Sequence, residues 1–189
     1  MWSNAWRCDV HGEVQPVAPP RLPTPDQLQL IKKHAVVPLW VPWPLPAGWL
    51  VTGATYAGDE LTGARATVVA CTGPNPLGGV GEMIIVAEEP GIGLGASYAG
   101  IDGPDPGADM VETPCQAKIE AAGHPTPLWW IDAGENRTAY VGAAGGFWLW
   151  AVLWPDSADL LMLDGLTLLD ALDARVELDL PLGALSPRL

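Results

Sequence analysis

With a formal net charge of −13 over 189 residues, this chain is a poor partner for nucleic-acid backbones and anionic membranes, both of which repel it. Apolar residues make up 49% and charged ones 16%, so the chain can bury a core without disulfide staples and is not built for disorder. Three cysteines at wide spacings, Cys8, Cys71 and Cys115, exclude a disulfide framework; with no basic-then-apolar leader at the start, they point to the cytoplasm.

Residues 1–15 form a Trp-bearing lead that ends in Cys8-Asp9-Val10-His11-Gly12. Residues 16–37 follow as a proline linker and short helix. Prolines at 16, 19, 20, 23 and 25 hold the first part extended, because proline fixes φ and donates no hydrogen bond. Thr24, Pro25 and Gln27 then stand where an N-cap, an N1 proline and a capping-box residue belong, and Pro38 ends the helix. Residues 38–189 read as one α+β domain. Its opening, Val36 to Leu50, alternates prolines with Trp40, Trp43 and Trp49, so it is neither a helix nor a central strand. It reads as extended chain sealing a hydrophobic surface, or as a groove for a ligand.

Short strands and turns follow: 49–56, 65–71, 82–89, 118–122, 128–132 and 138–143. The strongest is Phe147–Trp154, uncharged and bounded by Gly145-Gly146 and Pro155. Trp148, Trp150, Val152 and Trp154 lie on one face, and Phe147, Leu149, Ala151 and Leu153 on the other. Both faces are apolar, so the run predicts a central strand covered on both sides. Strands without intervening helices pair antiparallel. Residues 158–172 carry both periods and are read as a helix after Pro155. The expected fold class is therefore α+β, a mainly antiparallel sheet with one or two covering helices.

No complete catalytic set is visible. Gly91-Ile92-Gly93-Leu94-Gly95-Ala96 imitates a dinucleotide fingerprint, but no helix is expected after it, and Glu88 and Glu89 are hostile to a phosphate. Gly95-Ala96-Ser97-Tyr98-Ala99 falls one residue short of a nucleophile elbow. Asp102, Asp105 and Asp109 share one loop without the order of a calcium loop, and His124 stands alone in its turn. Cys8 and His11 make half a zinc site; four ligands are needed, and Cys71 and Cys115 fit no ligand pair.

Several phrases together, WRCDVHG at 6–12, VPLWVPWPLPAGWL at 37–50, TVVACTGPNPLGG at 67–79, GLGASYAGIDGPDPG at 93–107, HPTPLW at 124–129 and GALSPRL at 183–189, resemble an actinobacterial family of conserved proteins of unknown function. The resemblance brings no activity with it. It implies that longer members carry a Cys-x-x-Cys-Gly knuckle ahead of the element matched by Cys8 and His11, which together would form a small zinc ribbon. Here the first knuckle is missing, so no cofactor is expected unless a second ligand pair is supplied.

The expected function is a non-catalytic cytoplasmic module that binds a protein or a small molecule, with no nucleic acid and no membrane among its partners. The alternative is a small-molecule enzyme, in the manner of a hydrolase, built on the Gly-rich loops 72–81 and 91–107. Candidate binding residues are Trp40 and Trp43 of the belt, and Ser97, Asp102, Asp105 and His124, whose convergence in one pocket would mark the enzyme.

Overall fold

The computed structural model describes residues 15–59, 63–107, 110, 113–173 and 178–189, and the backbone of 7–8 and 12–13. Nine strands form one sheet: β3 (Trp40–Pro42), β4 (Leu50–Asp59), β5 (Gly63–Pro74), β6 (Val80–Glu88), β7 (Ala117–Ala121), β8 (His124–Ile131), β9 (Thr138–Ala144), β10 (Phe147–Trp154) and β11 (Thr167–Asp170). Their order across the sheet is β3-β11-β7-β8-β9-β10-β6-β5-β4. Two further short strands, β1 (Arg7–Cys8) and β2 (Gly12–Glu13), pair antiparallel with each other.

β10 lies inside the sheet, between β9 and β6, and pairs antiparallel with both. The period-two reading of its side chains holds. Leu149, Ala151 and Leu153 enter the larger apolar cluster, with Phe147 packed against it. Trp150, Val152 and Trp154 enter a second cluster on the opposite face, with Trp148 packed against it. The hairpin leading into β10 turns at Gly145 and Gly146, with φ of 62° and 89°, the left-handed pair that a tight two-residue turn requires.

The α+β expectation is overturned: the fold is all-β. Strands take 43% of the chain and helices 15%, in a sheet that curls into a half-barrel. The physical reason is that the sheet provides much of its own cover. The larger cluster gathers Val41 from one end of the sheet and Val51 from the other, so the curled sheet wraps its own core and needs no helical layer. Two helices remain, α1 (Pro25–His34) and the six-residue α2 (Leu94–Ala99). α1 contributes one buried side chain, Ile31, to the larger cluster. Thr24 is its N-cap residue, as expected, but makes no side-chain capping bond.

Residues 158–172 are also corrected. They divide into a 3-10 segment, Asp156–Met162, and the strand β11. Gly165, at φ 73°, lies between them and breaks the helical period, while Leu166 and Leu168 turn inward by alternation. β11 runs parallel to β7, so the pairing is not wholly antiparallel. The 3-10 segment lies between β10 and β11 and makes the longer connection that leads to a parallel neighbour.

The proline-rich stretch lies along β4. Ala18 N–H donates to Tyr56 O at 2.9 Å, and Arg21 and Ala54 exchange backbone bonds of 3.0 and 2.7 Å. The C-terminal tail takes the rest of this edge, with Val51 N–H donating to Pro181 O at 2.9 Å and Ser186 N–H to Thr52 O at 2.8 Å. A sheet edge that would otherwise offer open N–H and C=O groups is thereby closed. Among the described residues, no helix is long and apolar enough to cross a membrane.

The two described cysteines differ sharply. Cys71 is buried in the larger cluster, and burial pushes its thiol up to about 12, whereas Cys115 is exposed. Alkylation of the folded protein with iodoacetamide, read by peptide mass mapping, is expected to label Cys115 and to spare Cys71 until denaturant is added.

Candidate functional site

Two regions combine polar chemistry with enclosure. The first is the Gly-rich loop 91–107 with the end of β6. Glu88 closes β6 on the face that carries Ile84 and Val86, and it is 0% exposed. Its carboxylate accepts hydrogen bonds from Leu94 N–H at 2.7 Å and Gly95 N–H at 3.2 Å, so it holds the first turn of α2. This helix corrects the expectation that none follows the glycines. Its first turn is bound by a carboxylate of the chain itself.

Burial pushes Glu88 up from 4.5 to about 7; the backbone bonds from Gly95 and Leu94 oppose the rise, and the nearby Asp105 carboxylate adds to it. The indole of Trp150 also favours the ionised form, though its buried N–H completes no hydrogen bond of normal geometry. Asp105 in turn accepts from Gly91 N–H at 2.9 Å and from Trp148 Nε1–H at 2.7 Å. Arg137 secures the other end of α2, donating to Tyr98 O at 3.0 Å and Ala133 O at 2.6 Å. Gly95 lies so close to the Trp150 ring that a Cβ there would collide with it. The backbone groups that a pyrophosphate would need are thus already committed to Glu88 and Asp105.

The expected enzyme constellation is not joined. Ser97 is exposed on α2, Asp102 is exposed in the loop, and only Asp105 is engaged, as a clamp on the loop. His124 is exposed at the start of β8, which lies three strands from β6. Among the described residues, no hydrogen bond links any two of these four side chains. Asp109 lies outside the described residues. The other loop, 72–81, is the tip of the β5–β6 hairpin, with Leu77 72% exposed.

The second region is a groove of about 510 Å³ beside the Trp-Pro belt. It runs between the end of α1, the segment 35–40, the turn into β10 and the end of β11, and is lined by Lys32, Val37, Pro38, Trp40, Phe147 and Asp170 among others. Trp40 is only 5% exposed, and its indole N–H has no acceptor. Asp170 Oδ1 accepts from Leu39 N–H at 3.0 Å and from Leu172 N–H at 2.9 Å, which fixes the groove's floor. Trp43 is half-buried on the same belt and does not line the groove.

Sequence reasoning placed Trp40 in a belt that either seals or binds, but it missed Glu88, Arg137, Lys32 and Asp170. A usable signal existed for Glu88 alone: a carboxylate ends the buried run Met83–Ala87 three residues before the first glycine of a triplet. The side chain of Cys8, and His11 altogether, lie outside the described residues. Among the described residues, no group of three or more His, Cys, Asp or Glu is placed to hold a metal. Searches of curated proteins and of solved structures gave no match. A family profile, however, matches residues 1–189 from end to end, and the chain belongs to that family, DUF6758, a family of unknown function.

Proposed function

We propose that the chain is a non-catalytic cytoplasmic binding module whose ligand lies in the groove beside Trp40. The observation that carries this reading is a groove of about 510 Å³ walled by the Trp40 ring of the belt, with Lys32 and Asp170 set among apolar Val37, Pro38 and Phe147. The groove's volume is of the size that small-molecule sites occupy. The exposure of Ser97, Asp102 and His124, with His124 on a strand three places from β6, argues against an assembled nucleophile, base and orienter. The net charge of −13 favours a small molecule or a protein over nucleic acid or an anionic membrane. Zinc enters this reading only where a second ligand pair joins Cys8 and His11.

The test is a fragment screen on ¹⁵N-labelled protein, followed by Trp40→Phe. Hits are expected to move the Trp40 indole resonance and its groove neighbours. Trp40→Phe removes part of the ring that walls the groove, so it should weaken those hits through lost apolar contact. The same substitution is expected to lower the melting temperature modestly, because the smaller ring leaves space in the buried belt. Hits that gather at Ser97 and the loop 91–107, leaving Trp40 unmoved, would sink the groove and promote the enzyme.

A further inference from the structure

The groove offers more than one unpaired polar group, and their signs differ. Lys32 lies near the C-terminal end of α1, on the groove's rim, and its ammonium has no ion pair among the described residues. Asp170 ends β11 on another wall. Its Oδ1 accepts the two backbone N–H groups already described, and Oδ2 has no hydrogen-bond partner among the described residues. The two charges line one groove without pairing with each other. Val37, Pro38, Phe147 and the Trp40 ring supply the apolar lining.

We infer that the groove takes a zwitterion with an apolar body, of the class of an α-amino acid with an aliphatic or aromatic side chain. This rests on reading the groove as the ligand site. The ligand's ammonium meets the free oxygen of Asp170, its carboxylate meets Lys32, and its side chain covers Phe147 and Pro38. Charge-assisted hydrogen bonds of this kind are about twice as strong as neutral ones and set orientation as well as affinity. A zwitterion also escapes the field of a chain with net charge −13, which opposes the approach of a simple carboxylate. A simple cation would gain from that field but would face Lys32.

Four probes separate the contributions: L-leucine, N-acetyl-L-leucine, L-leucinamide and N-acetyl-L-leucinamide. They share the apolar body and carry both charges, the negative one, the positive one, or neither. Binding is followed by titration of the ¹⁵N-labelled protein, reading the Trp40 indole resonance. Leucine should bind most tightly, with about a tenfold loss for each charge removed. Lys32→Met, on an exposed helix face, should erase the advantage of leucine over leucinamide and leave its advantage over N-acetyl-leucine. Asp170→Asn keeps an oxygen for Leu39 and Leu172, and should do the reverse. If all four probes bind alike and neither substitution matters, the zwitterion is overturned while the groove stands as an apolar site. If none of them moves the Trp40 resonance, both the zwitterion and the groove fail.

Discussion

Trp150→Asp is expected to abolish folding or to drive the protein into the insoluble fraction. Trp150 is 0% exposed and lies at the centre of β10, flanked by Val141 and Val86 on the neighbouring strands, with Gly95 of α2 directly on its ring. Removing a buried Trp ring costs about 3–5 kcal/mol through lost transfer energy and the cavity left behind. The aspartate adds a carboxylate with no partner in an apolar cluster that already holds Glu88. The sum approaches the whole stability of an ordinary domain, about 5–15 kcal/mol. Trp150→Phe is the control: it keeps a ring under α2 and should fold with a lowered melting point. A soluble Trp150→Asp protein with the parent's melting temperature would remove β10 from the core and refute the architecture described above.

The second large effect concerns pH. Glu88 binds its proton more tightly folded than unfolded, since burial raises it from 4.5 to about 7. A carboxyl raised in the folded state contributes stability that is fully present below pH 4.5 and is lost as the pH rises through 7. Between pH 5 and pH 8 the parent should therefore lose on the order of 2–3 kcal/mol relative to Glu88→Gln, which stays neutral throughout. Denaturant melts of both proteins at pH 5, 6, 7 and 8 measure the difference directly, and the many surface carboxylates cancel in the comparison. Curves that stay parallel over this range would mean that Glu88 is ionised in the folded state and that the two backbone bonds from α2 outweigh its burial. The groups facing Glu88 are few: Asp105 on the loop, the indole of Trp150 on β10 and the two N–H groups of α2.

What the sequence determines by itself is local. The two-faced pattern of Phe147–Trp154 requires cover on both sides, and the structure supplies it with a different cluster on each face. Most strand positions, the hairpin turn at Gly145-Gly146 and the helix that begins at Pro25 follow from period, glycine and proline, which act within a few residues. The division of 158–172 was not legible, because Leu160, Met162, Leu166 and Leu168 alternate as in a strand while Pro155 and the residues after it signal a helix start, and only the place between β7 and β3 selects a strand for 167–170. The fold class belongs to the tertiary structure for the same reason. A short apolar strand reads alike whether a helix covers it or the sheet curls back over it, and here Val41 and Val51, at opposite ends of the sheet, meet in one cluster. The sites are the most tertiary feature of all. Glu88 with Asp105, and Lys32 with Trp40 and Asp170, are brought together by strand order and by the docking of α1 and α2, and no spacing in the chain encodes those meetings.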